Sequence, residues 1–308
     1  MGIEWAWPRD SGVRHAQVPE IHLQRSGPGA VLLFHGLTGG PVELAYVAHH
    51  LHHRAKLSVY CPALINHGQP LVVLARTRWR ELWENARSHF ERAHALAQQD
   101  GVPLFVGGLS IGALLALMVA AEFKDKVAGV ACLSPTLFYD GWDVPWYQRF
   151  LTLVDYTPLK YFTYLRVGPP YGLKDEVLRE KMRRQYDATS ISECGTPLGT
   201  YAHFPIRLLC ECRHLIAQGM RMLPDVTSPV LVVQSDNDDS TSPANARYVL
   251  DHVSSQFKRL HLLHNSYHIV TADFEREQVA DAMAQFFLEA TAASAPKPSG
   301  GADGSFSP

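Results

Sequence analysis

No apolar run in this sequence reaches the roughly 18 residues that a membrane-spanning helix needs. Glycine, serine or a charge interrupts the longest ones, so no stable insertion into a bilayer is expected. Neither sign of charge dominates: 28 Lys and Arg against 30 Asp and Glu leave a formal net charge of −2. With no basic surplus to hold phosphate backbones, nucleic acid is not an expected partner. Cysteine is scarce. Cys61, Cys132, Cys194, Cys210 and Cys212 are too few and too scattered for a disulfide framework. Cys61 and Cys132 lie in apolar runs and read as small core residues. Cys210 and Cys212 are one residue apart and lack a partner CxxC pair, so no zinc site is expected. Reduced thiols fit a cytoplasmic location. The start, MGIEWAWPRDSGVRH, lacks the basic segment, apolar run and cleavage site of a secretory signal, and Ala6 stands where a myristoylation motif needs Ser or Thr.

What is present is ordinary for a globular enzyme: 308 residues, 46% hydrophobic and 19% charged. That suffices for one large domain with an insertion. Short apolar runs alternate with longer helical stretches, the pattern of an α/β fold around a mostly parallel sheet. Strands are expected at 30–34, 57–61, 102–106, 127–133, 229–233 and 259–263. Helices are expected at 41–53, 78–99, 111–123, 244–253 and 273–289. Residues 1–134 and 226–290 therefore read as a core. The stretch 135–225 breaks the alternation. It has no clear buried strand and is crowded with Trp142, Trp146, Tyr147, Phe150, Tyr156, Tyr161, Phe162 and Tyr164. It reads as a mainly helical cap insertion lying over the sheet. Its rings are expected either to line an apolar pocket or to form the insertion's own core. Residues 291–308, rich in Ala, Ser, Pro and Gly, read as a disordered tail. There is no internal repeat.

The strongest chemical signal is Gly107-Gly108-Leu109-Ser110-Ile111-Gly112, which contains G-x-S-x-G between an expected strand and an expected apolar helix. A strand that turns sharply into a helix presents a serine at its apex. Side chains two residues before and after would collide with the turn, so glycine stands there. A second signal, Phe34-His35-Gly36-Leu37-Thr38-Gly39-Gly40-Pro41, follows the first buried strand. Its glycines let the backbone approach a reacting oxygen, with Leu37 as the expected N–H donor and Ile111 as the other donor. Neither G-x-G-x-x-G nor a Walker lysine is present, so no nucleotide cofactor is expected.

A serine hydroxyl needs a base, and the base needs a carboxylate to orient it. The chain order expected for this fold class is serine, acid, histidine. The segment Asp236-Asn237-Asp238-Asp239 follows a late strand and offers three acids, Asp238 first and Asp236 second. The base should lie between the last strand and the last helix. His261 falls inside the strand and His264 at its end. His268 sits in the loop itself and is the expected base, with His264 as the alternative. Of the 16 histidines, His49, His50, His52 and His53 resemble a metal cluster. They share one expected surface helix with only Glu43 as an acidic neighbour, so no metal is expected.

Taken together, HGLTGGP, GLSIG, LVVQSDNDD and NSYHIVTADFE resemble the bacterial carboxylesterase and monoacylglycerol lipase group of α/β-hydrolases, over about 30–134 and 226–288. The resemblance implies an α/β-hydrolase fold with Ser110 as nucleophile and the N–H groups of Leu37 and Ile111 as the oxyanion hole. It implies Asp238 as the acid, counted from Gln234 in the group's Q-x-x-x-D, and His268 as the base. Tyr267 stands where the group has glycine. The implied function is cleavage of carboxylic esters, of small alcohols or glycerol, through an acyl-enzyme, without cofactor or metal. The same residues could serve acyl transfer, carbon–carbon bond hydrolysis or cofactor-free perhydrolysis, or be retained in a non-catalytic binding protein. The insertion is longer than the cap of compact bacterial esterases, so the group's glyceride preference does not transfer with the motifs.

Overall fold

A computed structural model describes residues 3–5, 18–146, 151–188 and 200–294. Ten strands are described: β1 (Ile3–Trp5), β2 (Ile21–Leu23), β3 (Ala30–Phe34), β4 (Ser58–Cys61), β5 (Leu104–Leu109), β6 (Val130–Leu133), β7 (Thr163–Arg166), β8 (His203–Pro205), β9 (Val230–Ser235) and β10 (Lys258–Leu263). The helices are α1 (Ala45–Arg54), α2 (Leu71–Leu74), α3 (Trp79–Gln99), α4 (Ile111–Phe123), α5 (Leu151–Val154), α6 (Glu176–Asp187), α7 (Ile206–Met222), α8 (Pro243–His252) and α9 (Arg276–Ser294). Seven strands form the central sheet in the order β10-β9-β6-β5-β3-β4-β2. All its pairings are parallel except β2 with β4. This is the mostly parallel sheet flanked by helices that the alternation predicts.

Both faces of the central strands are covered, so they read as continuous apolar runs. Every residue of β5, β6 and β9 is buried. Their period of two divides the core. Leu32, Phe34, Val106, Val130 and Val232 enter one apolar cluster, with α3, α4 and α7. Val31, Leu33, Phe105, Leu133 and Val233 enter the other, with α1 and α9. Helix α4 is buried from Ile111 to Ala121, and Gly219 of α7 packs against its Leu114.

Residues between β6 and β9 form the insertion. Its described residues hold α5, α6 and α7 and also two strands that the sequence reading missed. β7 pairs antiparallel with β8 and, on its other edge, with the N-terminal β1. These strands have three or four residues each, too few for a periodic pattern, and their partners lie far away in sequence. Thr163, Tyr164 and Leu165 are buried. Helix α9 continues to Ser294, past the point at which the tail was expected to begin; residues 295–308, and the expected tail along them, lie outside the described residues. So do residues 1–2 and 6–17, along with Tyr147 and Cys194.

Candidate active site

The site forms at the carboxyl ends of β3, β5, β9 and β10, where open parallel sheets place their functional loops. Ser110 closes β5 and caps α4 with φ 59° and ψ −119°, a conformation that a non-glycine residue holds only when its surroundings impose it. The Ser110 N–H donates to Leu133 O at 2.9 Å, so the β-ladder runs to the edge of the turn. The flanking glycines are explained by contact. A Cβ on Gly112 would overlap the carbonyl oxygens of Phe34 and His35, and one on Gly108 would overlap the Gly112 carbonyl.

Ser110 Oγ lies 3.0 Å from His268 Nε2 and 2.9 Å from Thr136 Oγ1. Both contacts are satisfied when the serine donates to the imidazole and Thr136 donates to the serine. His268 Nδ1 lies 3.0 Å from each oxygen of Asp238. Asp238 is buried and also accepts from the backbone N–H groups of Ser240 and Thr241, from Thr241 Oγ1 and from Gln234 Nε2. Burial alone would raise the Asp238 pKa, but the neighbouring His268 charge and these donors hold it below the ordinary carboxylate value. Burial lowers the His268 pKa, and Asp238, Asp239 and Glu43 together more than offset that, leaving the imidazole above its ordinary value. Such a chain lets an imidazole take a proton from serine while a carboxylate stabilises the resulting cation.

The alternatives left open by the sequence lie elsewhere. His264 and Asp236 form an ion pair with each other at the surface, with side chains 71% and 44% exposed. Asp239, the third acid, accepts from the His268 backbone N–H and from Gly172 in the insertion, both at 3.1 Å. Beside it, Ile269 N–H donates to Gly172 O at 2.8 Å. Buried Asp273 accepts from the N–H groups of Lys174 and Asp175 on one side and of Tyr267 on the other. The four histidines of α1 do not converge. His50 Nε2 meets Asp281, His52 Nδ1 meets Leu57 O, and His49 stacks on His53.

The glycine-rich loop after β3 lies against this centre, and Leu37 lines the cavity over Ser110. Three side chains brace its peptides. His35 Nδ1 donates to Gly36 O at 2.8 Å, His67 Nε2 donates to Leu37 O at 2.6 Å, and Gly36 N–H donates to Glu43 Oε2 at 3.2 Å. Burial keeps both His35 and His67 below the ordinary imidazole value. Holding the Gly36 carbonyl turns the Leu37 N–H of the same trans peptide to the opposite side. Ile111 is the first residue of α4, so its N–H has no partner within the helix. Thr136, Glu43, His35 and His67 were not singled out for these roles by the sequence; only the position of His35 in the motif carried a signal.

Above Ser110 is a cavity of about 550 Å³. Its apolar wall includes Val154, Leu159, Leu165, Val167, Ile206 and Leu209, together with Tyr139, Tyr171, Tyr186 and Phe204. The insertion does supply this wall, but with other residues than the aromatic set noted in the sequence. Trp142, Trp146, Tyr156, Tyr161 and Phe162 are exposed, and Tyr164 is buried in the apolar core. Phe150 lies outside the described residues.

A family model described as "Serine aminopeptidase, S33" matches residues 26–275. The chain is 26% identical over 270 residues to a thermostable monoacylglycerol lipase of Bacillus sp. (strain H-257), covering 88% of this chain and 94% of that one. It is 23% identical over 269 residues to a carboxylesterase of Bacillus subtilis (strain 168), covering 87% and 96%. Among solved structures, the monoacylglycerol lipase of Paleococcus ferrophilus superposes with a TM-score of 0.68 at 17% identity, covering 89% of this chain and 99% of that one. A structure from work on the metagenome-derived lipolytic enzymes LipS and LipT superposes at 0.70 with 23% identity, covering 90% and 99%.

Proposed function

The chain belongs to the Serine aminopeptidase, S33 family, within the α/β-hydrolase fold, and from that premise we propose that it is a serine hydrolase cleaving carboxylic esters. Ser110 is the nucleophile, His268 the general base and then acid, and Asp238 the residue that orients and stabilises the imidazolium. The observation that carries this reading is the Ser110–His268–Asp238 chain of 3.0 Å contacts at the floor of a largely apolar cavity. The names of the two Bacillus relatives favour an ester over an amide substrate.

In the proposed cycle His268 Nε2 takes the Ser110 proton as Oγ attacks the ester carbonyl. The carbonyl oxygen becomes an oxyanion facing the N–H groups of Leu37 and Ile111, each worth about 3 to 4 kcal/mol. The tetrahedral species collapses, breaking the bond to the alkoxy oxygen, which leaves with the proton from His268. Water, deprotonated by the same imidazole, then attacks the acyl-enzyme. The second collapse returns the proton to Ser110 and releases the carboxylic acid. The 135–225 segment acts as the cap and supplies the acyl pocket.

No helix among the described residues is long and apolar enough to cross a membrane. A cytoplasmic location is supported by the free thiols of Cys61, Cys132, Cys210 and Cys212.

Labelling with a fluorophosphonate and turnover of p-nitrophenyl esters test the reading. Wild type is expected to label and to turn over, and Ser110→Ala to do neither while keeping its fold. Ester turnover that survives in Ser110→Ala would refute it.

A further inference from the structure

Glu43 stands where the loop after β3 meets the His268 loop, and no step of the cycle above uses it. Its side chain is half-buried and lines the cavity over Ser110. We propose that Glu43 is a positioning residue for this centre: its carboxyl holds the loop that bears the Leu37 N–H, and its negative charge acts on His268. The inference rests on the ester-hydrolase reading of the site.

Three observations support the holding role. Oε2 accepts the Gly36 N–H at 3.2 Å, one peptide before the Leu37 N–H. The Glu43 backbone closes the same turn, because its N–H donates to Gly40 O at 3.0 Å. Its own carbonyl accepts the hydroxyl of Thr271, three residues after His268, so one residue links both loops. The loop is also shaped around the carboxyl. A Cβ on Gly39 would coincide with the Glu43 carboxylate, so only glycine leaves room for it there. At Gly36 the nearest atoms to a Cβ would be Glu43 Oε2 at 3.3 Å and Ser110 Cβ at 3.8 Å. The carboxyl and the serine therefore flank the same glycine.

The charge role follows from the surroundings. The titratable groups that act on or feel Glu43 are His268 in the loop after β10, Tyr186 on α6 and Cys61 on β4. Asp239 adds its charge to the His268 side. Among the described residues, no lysine or arginine lines this cavity. Burial pushes the Glu43 carboxyl up to about 7, with the Gly36 N–H and the His268 charge pulling the other way. Both charge states are thus accessible near neutral pH. The ionised form favours the imidazolium, as Asp238 does.

The test compares Glu43→Gln with Glu43→Ala on a p-nitrophenyl ester, with kcat, KM and full pH profiles. Glutamine keeps an oxygen acceptor for Gly36 N–H but no charge. Its kcat at alkaline pH is expected within about threefold of wild type, and the acid limb of kcat/KM is expected to move down by about half a pH unit. Alanine removes the acceptor as well, so kcat should fall about 10- to 100-fold with little change in KM, a part of what one oxyanion donor contributes. Equal kcat in the two variants, or an acid limb in Glu43→Gln that superimposes on wild type, overturns the proposal. If Glu43→Ala fails to fold, the Glu43→Gln pH profile still decides. Failure of wild type to label with a fluorophosphonate would instead refute the hydrolase reading itself.

Discussion

His67 donates from Nε2 to the carbonyl oxygen of Leu37 at 2.6 Å, across 30 positions of sequence. Its Nδ1 lies 3.2 Å from the carbonyl oxygens of Leu64 and Ile65, in the turn after β4. His67→Ala should therefore loosen the Leu37 peptide without touching Ser110 or His268. The expected result is a drop in kcat of about tenfold or more at nearly constant KM, since an oxyanion donor acts in the transition state. Steady-state kinetics beside a thermal melt would separate this from general destabilisation; a KM effect with unchanged kcat would contradict it.

The two histidines near the end of β10 should respond very differently. His268→Ala should lower kcat by several orders of magnitude, with the residual rate resting on binding and the oxyanion donors. His264→Ala, which removes an exposed ring paired with Asp236 and leaves the backbone N–H bond to Glu275 in place, should stay within about twofold of wild type, as expected for a surface site. Parallel kinetics on the two variants would check this, and a severe loss in His264→Ala would move the base.

The pH profile should carry the mark of Asp238. The proposed base works only when neutral, and the charges of Asp238, Asp239 and Glu43 together more than offset the burial of His268. Activity should therefore be lost on acidification through a value above the ordinary imidazole pKa of about 6.5. In Asp238→Asn the residual acid limb should shift downwards and kcat should fall by about four orders of magnitude. A wild-type limb well below 6 would show that the carboxylate does not govern the imidazole.

Cavity chemistry sets the substrate range. A space of about 550 Å³ with a mainly aliphatic wall should reward chain length, at up to about 0.8 kcal/mol for each methylene buried. kcat/KM is expected to rise from p-nitrophenyl acetate to medium-chain esters. The described lining also holds Glu43, Asp143 and Asp239 with no lysine or arginine, so an ester whose acyl group ends in a carboxylate should react more slowly than its neutral isostere. Equal rates across the panel would argue against an acyl pocket here.

The parts of the fold legible in the sequence are those whose signal is local. Strands β3, β5, β6 and β9 are apolar because both faces are covered, and α4 begins where G-x-S-x-G forces a turn. The short strands β2, β7 and β8 are set by distant partners and leave no local pattern. The same divide runs through the site. Ser110 and the Leu37 loop could be read from motifs, whereas loop position and a resemblance ranked Asp238 over Asp236 and His268 over His264 but left the second of each pair as an alternative. Glu43 read as a lone acid beside a histidine-rich helix because its contact, seven residues back to Gly36, depends on how the loop folds over Gly39. The aromatic richness of the insertion was a misleading cue: five of those rings face solvent, while aliphatic side chains and other rings line the cavity.

Asp239 and Asp273 each clasp backbone from two places at once, residues 172–175 of the insertion and residues 267–268 beside the imidazole. At that seam the roof and the floor of the chamber are one piece. A swing of the roof that broke the seam would also drag the proton acceptor away from the serine. Stiffness along this side therefore helps the imidazole keep its aim at Ser110.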